Sequence, residues 1–170
     1  MAEFAIRDAT PADAEAVAAI YAHHVLHGTA SYDFEPPPVE ATLAKIERIG
    51  SAGWPFLVAD NEGRAVAYAY ATQFRDRDGY RFTCENSIYV HPDWSRRGIG
   101  KALLNALIER SAAFGFRQMV AVIGGAEPAS IALHASCGFR EVGRLHQVGR
   151  KKDRWLDNVY MQLELPAASD

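Results

Sequence analysis

One segment of the sequence combines a strand pattern, glycines and basic side chains at a spacing that suits anion binding. A β-rich run stops at Pro92, and Gly98 and Gly100 stand just ahead of the clearest helical pattern in the chain. The first turn of a helix has unpaired N–H groups and a partial positive charge, and glycines let the backbone approach a bound phosphate group closely. The flanking basic side chains are Arg96, Arg97 and Lys101. The segment predicts a pyrophosphate site, although an ordinary strand-to-helix turn has the same spacing.

Two other phosphate-binding motifs do not fit this segment. A P-loop needs Gly-x-x-x-x-Gly-Lys-Ser/Thr, and a dinucleotide fingerprint needs a third glycine and a downstream acidic residue after a strand. Neither pattern occurs here. Neither of these classes of site is therefore predicted.

The elements that must position this segment alternate along the whole chain. Apolar spacing and turn residues predict strands at 4–7, 55–59, 65–70, 80–91 and 119–123, helices at 12–26, 39–49, 98–115 and 128–138, and two closing strands around the charged turn 151–154. The continuous apolar run 119–123 is typical of a strand at the centre of a sheet and covered on both faces. The predicted order is βααβββαβαββ, an α/β fold with a mixed sheet flanked by helices.

Composition excludes several classes of function. A chain of 170 residues that is 49% apolar predicts one domain, at 1–165, with a short tail at 166–170. A net charge of −3 gives no attraction to nucleic acid or an anionic membrane, and neither a signal peptide nor a membrane span is visible. Cys84 and Cys137 lack CxxC spacing, which indicates free thiols without a zinc site. We expect a cytoplasmic protein that binds no metal, no nucleic acid and no membrane.

The glycine segment resembles the acetyl-CoA motif of the GNAT superfamily of acetyltransferases, which is Gln/Arg-x-x-Gly-x-Gly/Ala after a β-strand. Its core is matched by Arg97-Gly98-Ile99-Gly100, while Ser95 stands at the first position and Arg96 is the candidate to replace the missing contact. The resemblance implies the GNAT fold, with acetyl-CoA as cosubstrate. It also implies that acetyl-CoA extends along the end of the preceding strand, where a backbone N–H polarises the thioester carbonyl. The residues of this strand end are Ile88, Tyr89 and Val90.

A second segment, 127–139, resembles the superfamily pattern Asn-x-x-Ser-x-x-Leu-Tyr-x-x-x-Gly-Phe. Ser130 matches the pattern, Glu127 stands at the Asn position that contacts the pantetheine arm, and His134 replaces the Tyr. A His at this position is similar to the phosphinothricin and methionine sulfoximine N-acetyltransferases. That branch also has a Glu at the place of Glu85 and a closing segment like 153–157, so the resemblance spans nearly the whole chain.

This branch implies transfer of an acetyl group to the amine of a small amino-acid-like substrate by direct attack, and a homodimer. A protonated amine needs a base before it can attack a thioester, and Glu85 is the candidate. His134 is expected to assist proton transfer, either as an acid toward the CoA thiolate or in the relay from the amine. Arg75 and Arg77 are expected to hold the substrate carboxylate. The full predicted substrate pocket is Phe34, Glu35, Arg75, Arg77, Tyr80, Glu85, Asn86 and Ser87.

Three alternatives remain open at this point. The same fold could act on another amine, such as a peptide N-terminus or a polyamine. Ser95 and Glu127 at motif positions would also suit an acyl-CoA-binding sensor without turnover. A cysteine hydrolase built on Cys84 and His134 fits less well, because neither an oxyanion turn nor an orienting Asn is apparent.

Overall fold

The computed structural model describes residues 4–167, and its elements follow the predicted order βααβββαβαββ. The elements are β1 Ala5–Asp8, α1 Ala14–His27, α2 Val39–Ser51, β2 Phe56–Asn61, β3 Arg64–Gln73, β4 Thr83–Val90, α3 Ile99–Phe114, β5 Gln118–Gly124, α4 Pro128–Ser136, β6 Arg140–Lys151 and β7 Arg154–Glu164. Residues 1–3 and 168–170, which include part of the predicted tail, lie outside the described range. The predicted α/β class and mixed sheet are confirmed.

The seven strands form one sheet in the order β1-β2-β3-β4-β5-β7-β6. Neighbouring strands are antiparallel except for β4 and β5, which are parallel and pair only between Thr83–Asn86 and Gln118–Ala121. β4 continues to Val90 and β5 to Gly124 beyond this register. The two central strands therefore diverge and leave a wedge-shaped gap in the middle of the sheet.

Two apolar cores cover the two faces of the sheet. Helix α3 supplies Leu103, Leu104 and Leu107 to one core, and each is fully buried. Helices α1 and α2 supply Val17, Ile20, Ile46 and Ile49 to the other, against side chains of β2 and β3. The spacing of three to four residues in each helix produces these apolar faces. Side chains can therefore enter the central gap from the face covered by α3 or from the face covered by α1 and α2.

Three sequence predictions need correction. The predicted strand 80–91 begins at Thr83, because residues Asp78–Tyr80 form a 3-10 turn. The run 119–123 is not covered on both faces: Met119, Ala121 and Ile123 are buried, whereas Val120 and Val122 are only partly covered. Val122 faces a cavity at the gap that β4 leaves. The middle position of the sheet belongs to β4, with β5 beside it.

The third correction concerns Lys151, which was predicted in a charged turn but lies at the buried end of β6, 4% exposed. Its ammonium donates hydrogen bonds to the carbonyl oxygens of Val25 and Ser31, both at 2.7 Å. The Tyr32 ring also lies against Gly149, so closely that a Cβ placed there would be 2.5 Å from it. These contacts hold the β6–β7 hairpin against the end of α1 and against the loop that follows it.

Candidate active site

A cavity of about 340 Å³ lies where β4 and β5 diverge. This volume suits a small ligand. Seven of the predicted site residues line it: Glu85, Asn86, Ser87, Ile88, Tyr89, Ser130 and His134. The structure therefore brings the two candidate catalytic residues and most of the predicted strand end to one place.

Glu85 and His134 enter this cavity from opposite faces of the sheet. Successive side chains on a strand alternate between faces. Glu85 shares its face with Tyr89, which pairs in register with Tyr68 and packs beside Tyr21 of α1, with ring centroids 5.4 and 5.2 Å apart. Asn86 points to the other face, where it meets His134 of α4. The gap between the strands connects the two faces.

Glu85 has the properties of a base with a raised pKa. Its side chain is 33% exposed, and one carboxylate oxygen lies 3.7 Å from an Arg75 guanidinium nitrogen. Burial raises the pKa of Glu85, and the positive charge of Arg75 opposes that rise. A carboxylate of this kind accepts a proton more readily than one in open solvent.

His134 is held as a neutral ring. Its Nδ1 lies 2.8 Å from the carbonyl oxygen of Ser130, which can only accept, so Nδ1 carries the hydrogen. Burial lowers the pKa of His134, whose side chain is 2% exposed. Nε2 therefore has a free electron pair, and it accepts from the Asn86 amide nitrogen at 3.0 Å. In this arrangement neither ring nitrogen offers a free hydrogen to the cavity.

The loop after α1 contributes residues that sequence reasoning missed. Tyr21 donates to a carboxylate oxygen of Asp33 at 2.6 Å, and Tyr32 donates to Asn158 and accepts from the N–H of Gly125. All of these residues except Gly125 line the cavity. Phe34, which was predicted instead, is 71% exposed, and neither it nor Glu35 lines the cavity. The aromatic and acidic character of the loop was visible in the sequence, but which of its side chains point inward was not.

The predicted carboxylate-binding side chains lie on the connection between β3 and β4, outside the cavity lining. Arg75 stacks on Phe74 at 4.1 Å and reaches toward Glu85. Arg77 is exposed, and its backbone carbonyl accepts from Gln73. Tyr80 is 41% exposed and packs edge-on against Phe74. Of this group, only Arg75 is placed directly beside a cavity residue.

The start of α3 has the backbone form that an anion cradle needs. Arg96 and Gly98 have left-handed φ values of 61° and 78°, and a Cβ placed on Gly98 would meet nothing within 4 Å. Ile99 is buried, so it offers only its backbone, and Gly100 packs against Leu133 of α4. Arg96, Arg97 and Lys101 are exposed. These residues fit a diphosphate group at the helix N-terminus. Glu127 is the N-cap of α4 and makes no side-chain capping bond.

The Cys84 thiol does not support hydrolase chemistry. Cys84 is fully buried, and burial raises its pKa to about 12, so its thiolate is not available near neutral pH.

Between residues 4 and 167, no three or more His, Cys, Asp or Glu side chains are grouped so that they could hold a metal ion. Over the same residues, none of the helices has the length and apolar character needed to cross a membrane.

Comparison with known proteins decides the family. The family model described as "Acetyltransferase (GNAT) domain" matches residues 6–160. The chain belongs to the GNAT acetyltransferase family. As in other GNAT enzymes, acetyl-CoA is its acetyl donor. The alternative of a sensor without turnover is therefore not supported.

Individual relatives are similar over nearly the whole chain. The phosphinothricin N-acetyltransferase of Alcaligenes faecalis is 46% identical over 91% of this chain and 79% of its own. The L-methionine sulfoximine/L-methionine sulfone acetyltransferase of Salmonella typhimurium is 41% identical over 94% of each.

Solved structures agree with the fold. The crystal structure of a GNAT superfamily phosphinothricin acetyltransferase from Sinorhizobium meliloti in complex with acetyl-CoA has a TM-score of 0.94 and 46% identity, and the match covers 97% of this chain and 89% of that one. A ribosomal-protein-alanine N-acetyltransferase from Brucella melitensis has a TM-score of 0.91 and 40% identity over 95% and 99%.

Proposed function

We propose that this GNAT enzyme acetylates the α-amine of a small amino acid of the phosphinothricin, methionine sulfoximine or methionine sulfone type. The observation that carries the proposal is the pairing of Glu85 with Arg75 beside the cavity. The Glu85 carboxylate takes a proton from the substrate amine, and the Arg75 guanidinium binds the carboxylate of the same substrate. The names of the relatives support this class of acceptor.

The reaction is a direct attack of the amine on the thioester, with no acyl-enzyme. Glu85 takes a proton from the amine, directly or through water, and the Arg75 charge helps to keep Glu85 ionised beforehand. The freed nitrogen pair then attacks the carbonyl carbon, the C–S bond breaks with its electron pair going to sulfur, and the nitrogen gives up its second proton. The backbone N–H groups of Ile88 and Val90, which face the gap beyond the paired part of β5, are the candidates to polarise the carbonyl oxygen. Asp33 adds a second carboxylate on the acceptor side.

Two other amines are weaker candidates. A polyamine has no carboxylate for Arg75 or Arg77 to bind, and these cations would repel it. A peptide N-terminus is favoured by one observation, the similarity to the ribosomal-protein-alanine N-acetyltransferase. That similarity keeps a peptide acceptor as the second candidate.

A panel of acceptors tests the function. With acetyl-CoA, we expect thiol release in the presence of methionine sulfone, methionine sulfoximine or phosphinothricin at kcat/KM at least tenfold above that for an alanyl peptide or spermidine. The matched control is 3-(methylsulfonyl)propylamine, which is methionine sulfone without its carboxylate. Its kcat/KM should be lower by about 10- to 100-fold, the value of one charged hydrogen-bonded pair. Faster acetylation of the peptide than of all the amino acids would establish the second candidate instead.

The pH dependence of kcat/KM tests Glu85 as the base. Activity requires ionised Glu85, so kcat/KM should fall as the pH drops through its pKa, and Glu85→Gln should remove this acid limb and lower kcat by about 10²- to 10⁴-fold. Because Arg75 lowers the pKa of Glu85, Arg75→Met should raise that pKa and move the limb to higher pH. Arg77→Met is the control, since Arg77 makes no ion pair with Glu85 among those of residues 4–167. An unmoved limb in Arg75→Met would contradict the assignment.

A pair of glycine variants tests the cradle at α3. Gly98 and Gly63 both have left-handed φ, at 78° and 85°, and a Cβ would meet nothing within 4 Å at either. Replacing either with Ala should therefore cost a similar ~1 kcal/mol of stability. Only Gly98→Ala should also raise the Kd of acetyl-CoA, by about fivefold (~1 kcal/mol), because the strain shifts the backbone that contacts phosphate. Calorimetry gives the Kd of acetyl-CoA for each variant. Equal Kd values in the two variants would show that the phosphates do not bind at Gly98.

We further propose a homodimer formed through the outer strand of the sheet. β6 is one of the two edge strands of the sheet, and eleven of its twelve residues are at least partly exposed. The apolar side chains exposed on it and on the adjacent end of β7 are Val142, Leu145, Val148 and Trp155. A long apolar edge of this kind needs a cover in water. In the proposed dimer, a two-fold axis relates two copies of the chain, and the β6 strand of each copy covers the β6 strand of the other.

Light scattering after size exclusion tests the dimer. The wild-type protein should have twice the chain mass, and Val142→Glu/Val148→Glu should have the single-chain mass because charges cannot be buried in such a contact. Phe114→Glu is the control, since Phe114 is 44% exposed at the end of α3, away from the edge strand. A wild-type protein of single-chain mass would disprove the dimer.

Location and domain extent are proposals of the same kind. Two free cysteines support a reducing, cytoplasmic compartment. The inclusion of both β1 and β7 in one sheet supports a single catalytic domain at 1–165, followed by the tail at 166–170.

A further inference from the structure

Asn86 has an acceptor atom that nothing in the described protein satisfies. The side chain is 6% exposed, and Oδ1 is buried without a hydrogen-bond partner among residues 4–167. Asn86 lines the cavity at the last position where β4 still pairs with β5. A buried carbonyl oxygen without a partner is costly, and its presence at a ligand cavity indicates a hydrogen that arrives with the ligand.

His134 determines which way this amide points. Nδ1 of His134 donates to Ser130, so Nε2 must accept, and the only Asn86 group that can donate to it is the amide nitrogen. With nitrogen toward the ring, Oδ1 is the atom left without a partner among the described residues. Phe139 packs edge-on against the His134 ring at 5.0 Å and restrains its rotation. The orientation of Asn86 is thus set by a ring that has no spare hydrogen of its own.

We propose that Asn86 Oδ1 accepts the S–H hydrogen of CoA once acetyl transfer has occurred, and that His134 is the positioning residue that aims it. This inference rests on the proposed function only in placing the thioester in the cavity between β4 and β5. Glu85 enters from the α1–α2 face and serves the amine, which leaves the α3–α4 face, where Asn86 lies, to the sulfur.

The proton balance of the step needs no proton from His134. The amine nitrogen forms a bond to the carbonyl carbon, and the C–S bond breaks with its electron pair going to sulfur. The protonated amine gives up one proton to Glu85 before the attack and a second to solvent after it, and the sulfur takes up one proton from solvent, so one proton is released overall. Asn86 then holds the sulfur as the neutral thiol. Because the thiolate is the nucleophilic form, this contact disfavours attack of CoA on the new amide.

Binding measurements without any acceptor test the proposal. The probes are CoA, acetyl-CoA and desulfo-CoA, of which only CoA has an S–H. In Asn86→Leu, the Kd of CoA should rise about three- to tenfold, the loss of one hydrogen bond, while the Kd values of acetyl-CoA and desulfo-CoA change less than about twofold. Calorimetry on the full chain gives all three values, and their ratio within one variant cancels a general structural loss.

Variants of His134 separate positioning from proton transfer. His134→Gln keeps an acceptor near the place of Nε2 and should preserve the discrimination between CoA and desulfo-CoA. His134→Leu removes the acceptor and should lose discrimination as fully as Asn86→Leu, and the double variant should lose no more than either alone. If Asn86→Leu does not fold, His134→Leu against His134→Gln gives the same comparison.

Three results would each overturn the proposal. The first is an equal change in Kd for all three probes in Asn86→Leu, and the second is an unchanged Kd of CoA in that variant. The third is a His134→Gln variant that loses the discrimination between CoA and desulfo-CoA as fully as His134→Leu. Because no acceptor amine is present, failure of the proposed acceptor class would appear only in the acceptor panel and would leave this result intact.

Discussion

The divergence of β4 from β5 is the constraint on which the rest of the site depends. Parallel pairing stops after four positions, and the unpaired ends of both strands can no longer satisfy each other. Buried backbone groups need partners, so the strand end 88–90 is open to an extended ligand in place of the missing neighbour. The same gap connects the two faces of the sheet and lets side chains from both reach one reacting centre. The two faces then present different side chains to the gap, since one carries Glu85 and the other carries Asn86 and His134.

Much of the fold was predictable because its signals are local. Helix spacing, strand patterns and the stops at glycine and proline depend on neighbouring residues, and the order of elements followed from them. The strand-to-helix turn before α3 was predictable for the same reason, since Gly98 and Gly100 stand in one short segment. The predicted strand 80–91 began too early, because its aromatic start also suits a 3-10 turn. No local feature of the sequence distinguishes a strand from such a turn at this point.

What escaped prediction depends on contacts between distant parts of the chain. Lys151 reads as a surface charge in a turn, and only the approach of the α1 end turns it into a buried ammonium with two carbonyl partners. Asp33 and Tyr32 line the cavity, while their neighbours Phe34 and Glu35 do not, because packing against the hairpin sets the loop register. The family resemblance pointed to Glu85 and His134, and both line the cavity. The hydrogen bond between His134 and Asn86 joins residues 48 positions apart and could not be predicted from the sequence.

The contact between Tyr32 and Gly149 also limits how sequences of this kind can diverge. The ring occupies the space where any side chain at 149 would begin, so no larger residue is accommodated there while the aromatic ring remains. A substitution at 149 therefore requires a smaller residue at 32, and that change would remove the hydroxyl that meets Asn158. A strand position on the outer hairpin is thus tied to the shape of the cavity that Tyr32 lines, and the two positions should vary together rather than independently.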